Sequence, residues 1–544
     1  MRRLRDALGP ANVHRTWNVV LALLLAGGVA CGPPSPAAER AARAERAAAI
    51  AQVFETAEPY SPRSLDSTAL ATFLVTHPTY RAESAALADF YDRRARQFAW
   101  FIGDSLTTQA DAFRALAGLG DSATPLPAMS CDSCLTETEL FLSAEFFRFA
   151  TRNYGGHFSR DLRELEWFIP RAKKDIGRLL DSLATSTADL AAYEPLHPQY
   201  QRLRGALPAL RALEREPWPS LAMPRGRRRL DPGDSSALVV TVRERLRLLG
   251  DHPDPTGGDR TSAAALADSM HYDSVLVASV QRFQSRHGLT ADGIIGARVL
   301  RALNVSPESQ LRTLLVNMER LRWLPEVQPP NALIANIPEF QLRVFDEGRE
   351  VMAMPIVVGE EATKTAIFAA TLTQVVLSPT WTVPPSIVRK EILPAMRRDG
   401  RYLQRSHMDI IGGTAALPMI RQRPGADNAL GRVKFVFPNG FGIFMHDTPA
   451  KSLFAQEQRT FSHGCIRLSR PKDLAEFLLR DNPAWPPERI LEGMLSERET
   501  PIRLAKPRPV WVVYFTAWVD DAGLLHLRED VYGHDARLAR EVFR

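Results

Sequence analysis

A single cysteine in the last third of the chain stands among residues that could make its thiol a nucleophile. Cys465 lies in the run Ser462-His463-Gly464-Cys465-Ile466-Arg467, and His446 precedes it by nineteen residues. A free thiol is mostly protonated at neutral pH, so an enzyme that uses one as a nucleophile places a base within hydrogen-bond reach. His446 is the candidate base. The pair is therefore compatible with nucleophilic catalysis by Cys465.

The residues around the pair could supply the remaining parts of an acyl-transfer site. The second ring nitrogen of His446 needs an acceptor to fix its tautomer, and the backbone carbonyl of Asp447 could serve. A glycine before the nucleophile lets the backbone bend, so the amides of Gly464 and Cys465 could point at the oxygen of an attacked carbonyl. Because a lone histidine and cysteine are more often structural than catalytic, these residues alone leave the function open.

The last third of the sequence also predicts the strands that would bring His446 and Cys465 together. Runs with strand character cover residues 332–337, 341–345 and 373–377, with turn residues between them. Two further strands, 433–437 and 441–446, are joined by a hairpin-type turn at Pro438-Asn439-Gly440. Closing such a sheet could place His446, at a strand end, beside Cys465. We therefore predict a mainly β domain here.

The preceding two thirds predict helices, so the expected fold class is multidomain α+β. The length of 544 residues corresponds to about three or four domains. Residues 51–215 have apolar side chains at three- and four-residue spacing, which predicts a helical scaffold domain. A Pro- and Arg-rich stretch then marks a boundary. Residues 236–305 predict a compact helical unit, with glycines where helix ends need a left-handed backbone.

The first thirty residues have the pattern of an export signal. A basic lead precedes the apolar run 19–26, which is too short to span a membrane as a mature helix. Gly28 and Ala30 stand at positions −3 and −1 before Cys31, so signal peptidase and lipoprotein processing would cut the same bond. We expect a signal peptide at 1–30, a tether at 31–50, and an exported protein of the periplasm or cell envelope anchored by a lipid on Cys31. A soluble periplasmic protein and an uncleaved anchor are the alternatives.

Two other cysteines, Cys131 and Cys134, form a C-x-x-C pair. In an exported protein a nearby pair most often closes a local disulfide, which is the prediction here; free thiols and redox chemistry remain as alternatives. A zinc site would need a second pair that the sequence does not contain, so no metal is expected.

The composition disfavours a nucleic-acid-binding function. The chain has 68 Lys and Arg against 62 Asp and Glu, a net charge of +6, whereas a dedicated nucleic-acid binder concentrates basic residues on one surface. The sequence also contains no P-loop. We therefore expect neither a nucleic-acid partner nor a cofactor.

The stretch from Phe283 to Gly296 resembles the small peptidoglycan-binding domain built on three helices. It has the pattern F-Q-x-x-H-G-L-x-x-D-G-x-I-G, followed by Val299-Leu300. The resemblance implies that fold for residues 236–305. It does not imply glycan binding, because most matched residues are structural and such domains can serve as spacers.

The segment from His446 to Arg467 resembles the signature of the L,D-transpeptidase catalytic domain, a β-rich cysteine acyltransferase of bacterial cell walls. The resemblance extends to residues 379–385, 425–435 and 515–520. Many members have Gly where this chain has Asp447, although the large multidomain members resemble its His-Asp-Thr form. The resemblance implies a catalytic domain at 331–510, a lid-like insertion at about 380–425, and a C-terminal strand extension at 511–544.

The resemblance also implies roles for particular residues. Cys465 would be the nucleophile and His446 the proton donor and acceptor. His463 and Gly464 would shape the oxyanion pocket, with Asp447 in support, and Arg467 would either bind a substrate carboxylate or brace the loop. The candidate substrate-binding residues are Trp381, Asn428 and Ser462.

The implied reaction is attack of Cys465 on the L,D-peptide bond of a peptidoglycan tetrapeptide stem. The terminal D-alanine would leave, and an amine of a neighbouring stem would accept the acyl group, giving a 3-3 cross-link. Carbapenem-type inhibitors would acylate Cys465.

Several alternatives stay open. Water as the acceptor would make an L,D-carboxypeptidase, and a protein amine would attach a protein to the wall. A non-catalytic wall-binding scaffold is an alternative of a different class. A papain-like protease is disfavoured, because in that family the cysteine precedes the histidine. Protein partners remain unknown.

Overall fold

The computed structural model describes residues 63–119, 126–127, 129–158, 160–172, 174–185, 196–253 and 269–543. The predicted signal peptide and tether, including Cys31, lie outside the described residues. Helices dominate up to residue 323 and a nine-stranded sheet dominates the remainder, which confirms the predicted α+β class. Within this part of the chain, none of the helices combines the length and apolar character needed to cross a membrane.

The first region is helical around a long central helix. Its described helices are α1 (Ala69–Thr76), α2 (Ser84–Arg93), α3 (Thr108–Ala117), α4 (Asp132–Gly155), α5 (Ile176–Thr185) and α6 (Pro198–Leu213), with a small hairpin of β1 (Phe101–Ile102) and β2 (Ser105–Leu106). Helix α4 is buried over much of its length because apolar and small residues occupy most of its faces. The buried Glu139 of α4 accepts hydrogen bonds from the amides of Ala99 and Trp100. Burial raises the pKa of Glu139 to about 7.

Helix α4 begins at a disulfide between Cys131 and Cys134, the pairing that the sequence predicts. Cys131 is the N-cap residue, and its sulfur accepts a hydrogen bond from the amide of Cys134 at 3.2 Å. The cross-link therefore fixes the first turn, where helix amides have no partner within the helix.

The second region is a separate three-helix domain. It consists of α7 (Ala237–Leu248), α8 (Ser274–Arg286) and α9 (Ala297–Leu303), and it has an apolar core of its own. Ser236 and Asp273 cap the first two helices by accepting backbone hydrogen bonds. The buried Asp251, after α7, forms an ion pair with Arg286 at the end of α8.

Helix α10 (Pro307–Trp323) connects this domain to the sheet and packs against both the first region and the chain's end. Its buried Glu319 accepts hydrogen bonds from the amide of Phe158 at 3.0 Å and the indole of Trp323 at 3.2 Å, and pairs with Arg322 at 2.9 Å. The first region and the sheet share one apolar core. Helix α10 therefore couples them through a buried carboxylate as well as apolar contacts.

The sheet closes on itself. Its strands are β3 (Leu333–Asn336), β4 (Gln341–Asp346), β5 (Arg349–Gly359), β6 (Phe368–Leu377), β10 (Val433–Val436), β11 (Met445–His446), β12 (Thr460–Ser462), β13 (Ile466–Leu468) and β14 (Thr500–Val513). Their order is β12-β5-β13-β11-β10-β6-β14-β3-β4, and β4 pairs again with β5. Two helices, α14 (Pro471–Leu479) and α15 (Pro487–Leu495), follow β13 and contact β10 and β6.

Residues 381–422 form a small subdomain, which lies in the range of the predicted insertion. It contains the three-stranded sheet β7 (Trp381–Thr382), β9 (Pro418–Gln422) and β8 (Met408–Gly413) in that order. Its helices are α11 (Pro385–Ile387), a π-helical turn (Val388–Ile392), α12 (Leu393–Arg398) and α13 (Tyr402–Arg405). The subdomain has a separate core, which includes Val383, Ile392 and Ile420.

The second strand of the predicted hairpin is shorter than the sequence indicates. β11 contains only Met445 and His446, and residues 437–444 form a loop. The side chain of Asn439 donates to the carbonyls of Phe437 and Ile443, at 2.7 Å each, and accepts from the amides of Phe441 and Ile443. Backbone groups that a tight hairpin would pair across the strands are bonded to this one amide side chain instead.

The predicted boundary between residues 510 and 511 also differs from the structure, because it falls inside the continuous strand β14. The segment after β14 is only partly extended. It forms the hairpin of β15 (Ala517–Val519) and β16 (Leu525–Leu527) and ends in helix α16 (His534–Val542). The apolar Leu538 of α16 is buried, so amphipathic packing makes this end helical.

We predict that Glu319→Ala destabilises the fold by about 3 kcal/mol, because it leaves the Phe158 amide and the Arg322 guanidinium without their buried acceptor. Glu308→Ala, on the exposed first turn of the same helix, removes only an exposed pair with Arg312 and should cost less than about 1 kcal/mol. Urea unfolding monitored by tryptophan fluorescence measures both. Equal midpoints for the two variants would contradict the coupling role of Glu319.

Candidate active site

Three neighbouring strands place His446, Lys434 and Arg467 side by side. In the antiparallel pair β10–β11, His446 lies opposite Lys434, and in the parallel pair β11–β13 it lies opposite Arg467. Residues opposed in adjacent strands point to the same face of a sheet. One base and two cations therefore share a face, and β11, the central strand of the three, carries the base.

Cys465 extends this arrangement by one step. It directly precedes β13, and the amide of Ile466 donates to the carbonyl of Phe444 at 3.1 Å. Because side chains alternate along a strand, Cys465 and Phe444 belong to the same face as His446. The rings of Phe444 and His446 lie 5.6 Å apart between centroids. Strand pairing thus puts the thiol and the histidine on one face, and in this structure the Cys465 thiol contacts the carbonyl of Gly442 at 4.0 Å.

His446 is buried, and its Nδ1 lies 2.5 Å from the backbone carbonyl of Asp447, the contact that the sequence predicts. A carbonyl can only accept, so Nδ1 carries the hydrogen and Nε2 is left as the acceptor. Burial, together with the charge of Arg467, lowers the pKa of His446 to about 3. The imidazole is therefore neutral at neutral pH, with the lone pair of Nε2 free.

The side chain of Asp447 does not reach the imidazole and instead holds the backbone around it. Its carboxylate accepts hydrogen bonds from the amides of Arg432 at 2.8 Å and Thr448 at 2.7 Å, and from the Lys451 ammonium at 2.6 Å. The carboxylate therefore fixes the carbonyl that orients His446.

The loop before Cys465 is held by hydroxyl groups. Gly464 has a φ of +110°, a conformation that a side chain would strain. The Ser462 hydroxyl donates to the Cys465 carbonyl at 2.5 Å and accepts from the Gly464 amide at 3.1 Å. From the neighbouring segment, Thr365 donates to the Gly464 carbonyl at 2.9 Å and Thr363 to the Ser462 carbonyl at 3.1 Å. Three hydroxyls thus fix the position of the thiol.

The electrostatics around Cys465 are dominated by burial. Burial raises the pKa of the thiol, although Lys434 and Arg467 act in the opposite direction. The Lys434 ammonium lies 3.9 Å from the centroid of the Phe444 ring. Among the described residues, neither cation has a carboxylate within ion-pair distance, and Nε of Arg467 is buried without an acceptor. The resting site therefore holds a neutral thiol, a neutral imidazole and two cations outside the ion pairs of the described residues.

The 381–422 subdomain touches residues 462–465, the Cys465 loop, through an ion pair. Nε2 of the half-exposed His463 lies 2.7 Å from Oε1 of Glu391, which belongs to the π-helical turn of the subdomain. The insertion therefore reaches within two residues of Cys465.

Comparison with known families gives three matches, one for each region of the structure. Residues 330–494 match the "L,D-transpeptidase catalytic domain", residues 85–207 a "Scaffold domain", and residues 235–303 the "Putative peptidoglycan binding domain". Residues 330–494 are an L,D-transpeptidase catalytic domain. The resemblance that the sequence carries is thereby confirmed, as are the helical scaffold and the peptidoglycan-binding fold.

A relative in Haemophilus influenzae, named "Putative L,D-transpeptidase", is 29% identical over 250 residues. The match covers 43% of this chain and 50% of that protein, so it spans half of the relative's length. Among solved structures, the chain is similar to an L,D-transpeptidase from Stackebrandtia nassauensis, with 14% identity, a TM-score of 0.22, and coverage of 54% of this chain and 97% of that one. It is also similar to one from Xylanimonas cellulosilytica, with 13% identity, a TM-score of 0.18, and coverage of 54% and 100%.

The L,D-transpeptidase domain departs from the sequence prediction at three candidate residues. The amide of Gly464, a predicted oxyanion donor, is already bonded to Ser462. Ser462 and Asn428, predicted to bind substrate, are almost fully buried. Asn428 donates to the carbonyls of Pro379 and Arg423 and accepts from the amide of Leu430, so its polar atoms are occupied. Both side chains satisfy loop backbone groups instead.

The remaining predicted residues are placed as follows. Trp381 packs against the core of the 381–422 subdomain, so the insertion's own stability accounts for it. Arg467 faces the site and has a buried nitrogen without an acceptor, which fits a group that awaits a ligand better than a brace. The amides of His463 and Cys465 make no backbone hydrogen bond in the described part of the chain and are the remaining oxyanion donors.

Sequence reasoning misses four residues of the transpeptidase site: Lys434, Thr363, Thr365 and Glu391. Lys434 has a local signal, since it is the one charged residue in the otherwise apolar run 433–437. The two threonines and Glu391 have no local sequence signal, because each reaches the Cys465 loop from a distant segment.

We predict that Ser462→Ala slows acylation of Cys465 by a carbapenem about thirtyfold, since it removes two loop hydrogen bonds worth about 1 kcal/mol each. Ser469→Ala is the matched control, because the Ser469 hydroxyl has no hydrogen-bond partner among the described residues and should leave the rate unchanged. Intact-protein mass spectrometry against time gives both rates. A Ser462→Ala rate equal to that of the control would refute the positioning role of Ser462.

The pKa directions predict how the thiol responds to pH. Because burial raises the pKa of Cys465 and His446 stays neutral above about pH 4, alkylation by iodoacetamide should rise steadily from pH 6 to 9 without a plateau. Lys434→Met removes a charge that lowers the thiol pKa, so its curve should move to higher pH. A rate plateau below pH 7 would instead indicate a thiolate–imidazolium pair.

Proposed function

We propose that this protein is a peptidoglycan L,D-transpeptidase that uses Cys465 as its nucleophile. The observation that carries the proposal is the pairing of β10, β11 and β13, which puts Cys465, His446 and two unpaired cations on one face. The matched families support peptidoglycan as the polymer on which the chain acts.

In the first half-reaction, Nε2 of His446 takes the thiol proton as the Cys465 sulfur attacks the carbonyl carbon of the L,D-peptide bond. The tetrahedral intermediate collapses, and the departing D-alanine amine receives that proton from His446. A thioester to Cys465 remains. The imidazole is neutral before the reaction, so the lone pair of Nε2 is free, although burial lowers its basicity.

In the second half-reaction, the amine of a neighbouring stem attacks the thioester and gives its proton to His446. The Cys465 sulfur leaves and recovers a proton from the imidazolium. One amide bond is broken and one is made, so the exchange needs no external energy source. The proposed steps use protein groups alone and involve no cofactor.

The negative charge that develops on the substrate oxygen needs donors and positive charge near Cys465. We assign the donors to the amides of His463 and Cys465, which make no other backbone hydrogen bond in the described chain. Lys434 adds positive charge on the same face. Arg467 is left to hold a carboxylate of the substrate, since guanidinium groups bind carboxylates with two parallel hydrogen bonds.

We further propose that the protein works in the cell envelope. Peptidoglycan lies outside the cytoplasmic membrane, and the first thirty residues predict export. Lipidation of Cys31 stays a prediction from the sequence.

The test is incubation of the full chain with a purified disaccharide-tetrapeptide, with products and protein analysed by mass spectrometry. Wild type should gain a mass equal to the acyl tripeptide stem, release D-alanine and accumulate cross-linked dimer. Cys465→Ala should do none of these. His446→Gln should lower the acylation rate at least a hundredfold, since the loss of a general base costs about that much.

The products identify which group accepts the acyl chain from Cys465. Tripeptide without dimer would replace transpeptidation by L,D-carboxypeptidase activity, and attachment of the stem to an added protein amine would indicate protein anchoring. A folded wild type with neither adduct nor turnover would overturn the proposal in favour of a wall-binding scaffold.

A further inference from the structure

A cavity of about 330 Å³ lies where the three-helix domain meets the catalytic domain and the C-terminal segment. Residues of all three parts line it. They include Arg298 of the three-helix domain, Gln341, Arg343 and Arg459 of the sheet domain, and Arg528 and Glu529 of the C-terminal segment. Its volume falls at the lower end of the range of about 300–1,000 Å³ typical of small-ligand sites. No step of the proposed reaction uses this cavity.

The charges that line the cavity do not balance. Arg298 pairs with Glu457 at 2.7 Å, and Arg343 pairs with Glu339. Arg459 and Arg528 have no carboxylate within ion-pair distance among the described residues. Four arginines and three glutamates line the cavity, so the lining carries one excess positive charge, and Arg459 and Arg528 are the two guanidinium groups outside its ion pairs.

Arg528 is held in place by the three-helix domain. Its Nη1 donates to the carbonyls of Arg286 at 2.7 Å and Leu527 at 2.8 Å, whereas its Nε is buried without an acceptor. A Cβ at Gly288, whose φ is +70°, would lie 2.6 Å from that Nε. Burial lowers the pKa of Arg528 to about 10; the charge of Glu339 opposes this shift, and those of Arg343 and Arg459 add to it. The guanidinium is therefore fixed in position but incompletely bonded.

Arg459 approaches from the catalytic domain. Its Nε donates to the carbonyl of Phe454 at 3.1 Å and its Nη1 to that of Phe340 at 3.3 Å. Arg459 also directly precedes β12, the strand that ends at Ser462. Carbonyl acceptors orient the group but supply no negative charge, so an anion would complete the bonding of both arginines.

We propose that this cavity is an anion-binding site and that its occupant is a carboxylate of a peptidoglycan stem peptide. Guanidinium groups are suited to carboxylates because their planar donors match the two oxygens. A bound anion would also offset the cost of holding two like charges close together in a partly buried space. We choose the stem peptide as the occupant because the cavity lies between a peptidoglycan-binding domain and a transpeptidase domain. This choice rests on the proposed function. The anion site itself does not, because it follows from the arginines alone.

The test uses the full chain with Cys465→Ala, so that no turnover occurs, and calorimetric titration with disaccharide-tetrapeptide and, separately, with sodium acetate. Arg459→Gln removes one guanidinium. Gln341→Glu places a carboxylate in the cavity with nearly unchanged shape, so it should compete with the ligand without unfolding the protein. Arg301→Gln, on the exposed surface of α9, is the matched control.

We expect both cavity variants to lose at least tenfold in affinity for the tetrapeptide, and the control to bind as the parent does. Thermal unfolding of each variant checks that the fold is intact. Equal affinity of all variants for both ligands would overturn the site. Acetate binding that depends on the cavity, without cavity-dependent tetrapeptide binding, would overturn the stem-peptide assignment.

The proposed function fails separately from this site. If the wild type forms neither thioester nor dimer while Gln341→Glu still lowers anion affinity in the Cys465→Ala chain, the anion site stands and transpeptidation falls. The opposite result, turnover without any effect of Gln341→Glu or Arg459→Gln on binding, removes the anion site alone.

Discussion

The structure of the site depends on how the irregular loop before Cys465 satisfies its backbone groups. Buried backbone carbonyls need donors, and this loop turns too sharply at Gly464 for a strand partner to provide them. Hydroxyls of Ser462 and Thr365 donate to the carbonyls of Cys465 and Gly464, whereas the Ser462 carbonyl accepts from both the Thr363 hydroxyl and the Glu360 amide. Thr365 is fixed in turn, because its amide donates to the hydroxyl of Tyr532 at 3.3 Å. The C-terminal segment therefore supports the Cys465 loop, although Tyr532 lies outside residues 330–494, the range that matches the catalytic domain.

A second constraint is the burial of the reacting groups. Desolvation disfavours charge on both Cys465 and His446, so the pair rests in its neutral form. Lys434 and Arg467 oppose this for the thiol, and among the described residues neither has a carboxylate within ion-pair distance. In the proposed reaction, positive charge is thus in place before negative charge develops on the sulfur or on the substrate oxygen.

The sequence predicts local features well and contacts between distant segments poorly. The helices of the three-helix domain follow from apolar spacing and caps, and the bond from His446 to the Asp447 carbonyl follows from residue order alone. Motif position predicts substrate binding for Asn428 and Ser462, because it does not show which polar atoms are used in hydrogen bonds within the loop itself. The length of the loop at 437–444 depends on one side chain, Asn439, that replaces the expected strand pairing. Thr363, Thr365 and Glu391 could not be predicted, since only the closed sheet and the folded insertion bring them to the loop.

The contact between His463 and Glu391 indicates how the insertion relates to the site. Both side chains are about half exposed, and exposed ion pairs contribute roughly 0–1 kcal/mol, so this contact opens at little cost. The insertion has a core of its own, which means that it can move as a unit without exposing the core of the sheet domain. The Cys465 loop, in contrast, is bonded to the sheet domain by several hydrogen bonds from hydroxyl groups. Substrate entry that displaces the insertion would therefore leave the position of Cys465 unchanged, because the bonds that hold the thiol and those that hold the insertion are made by different residues.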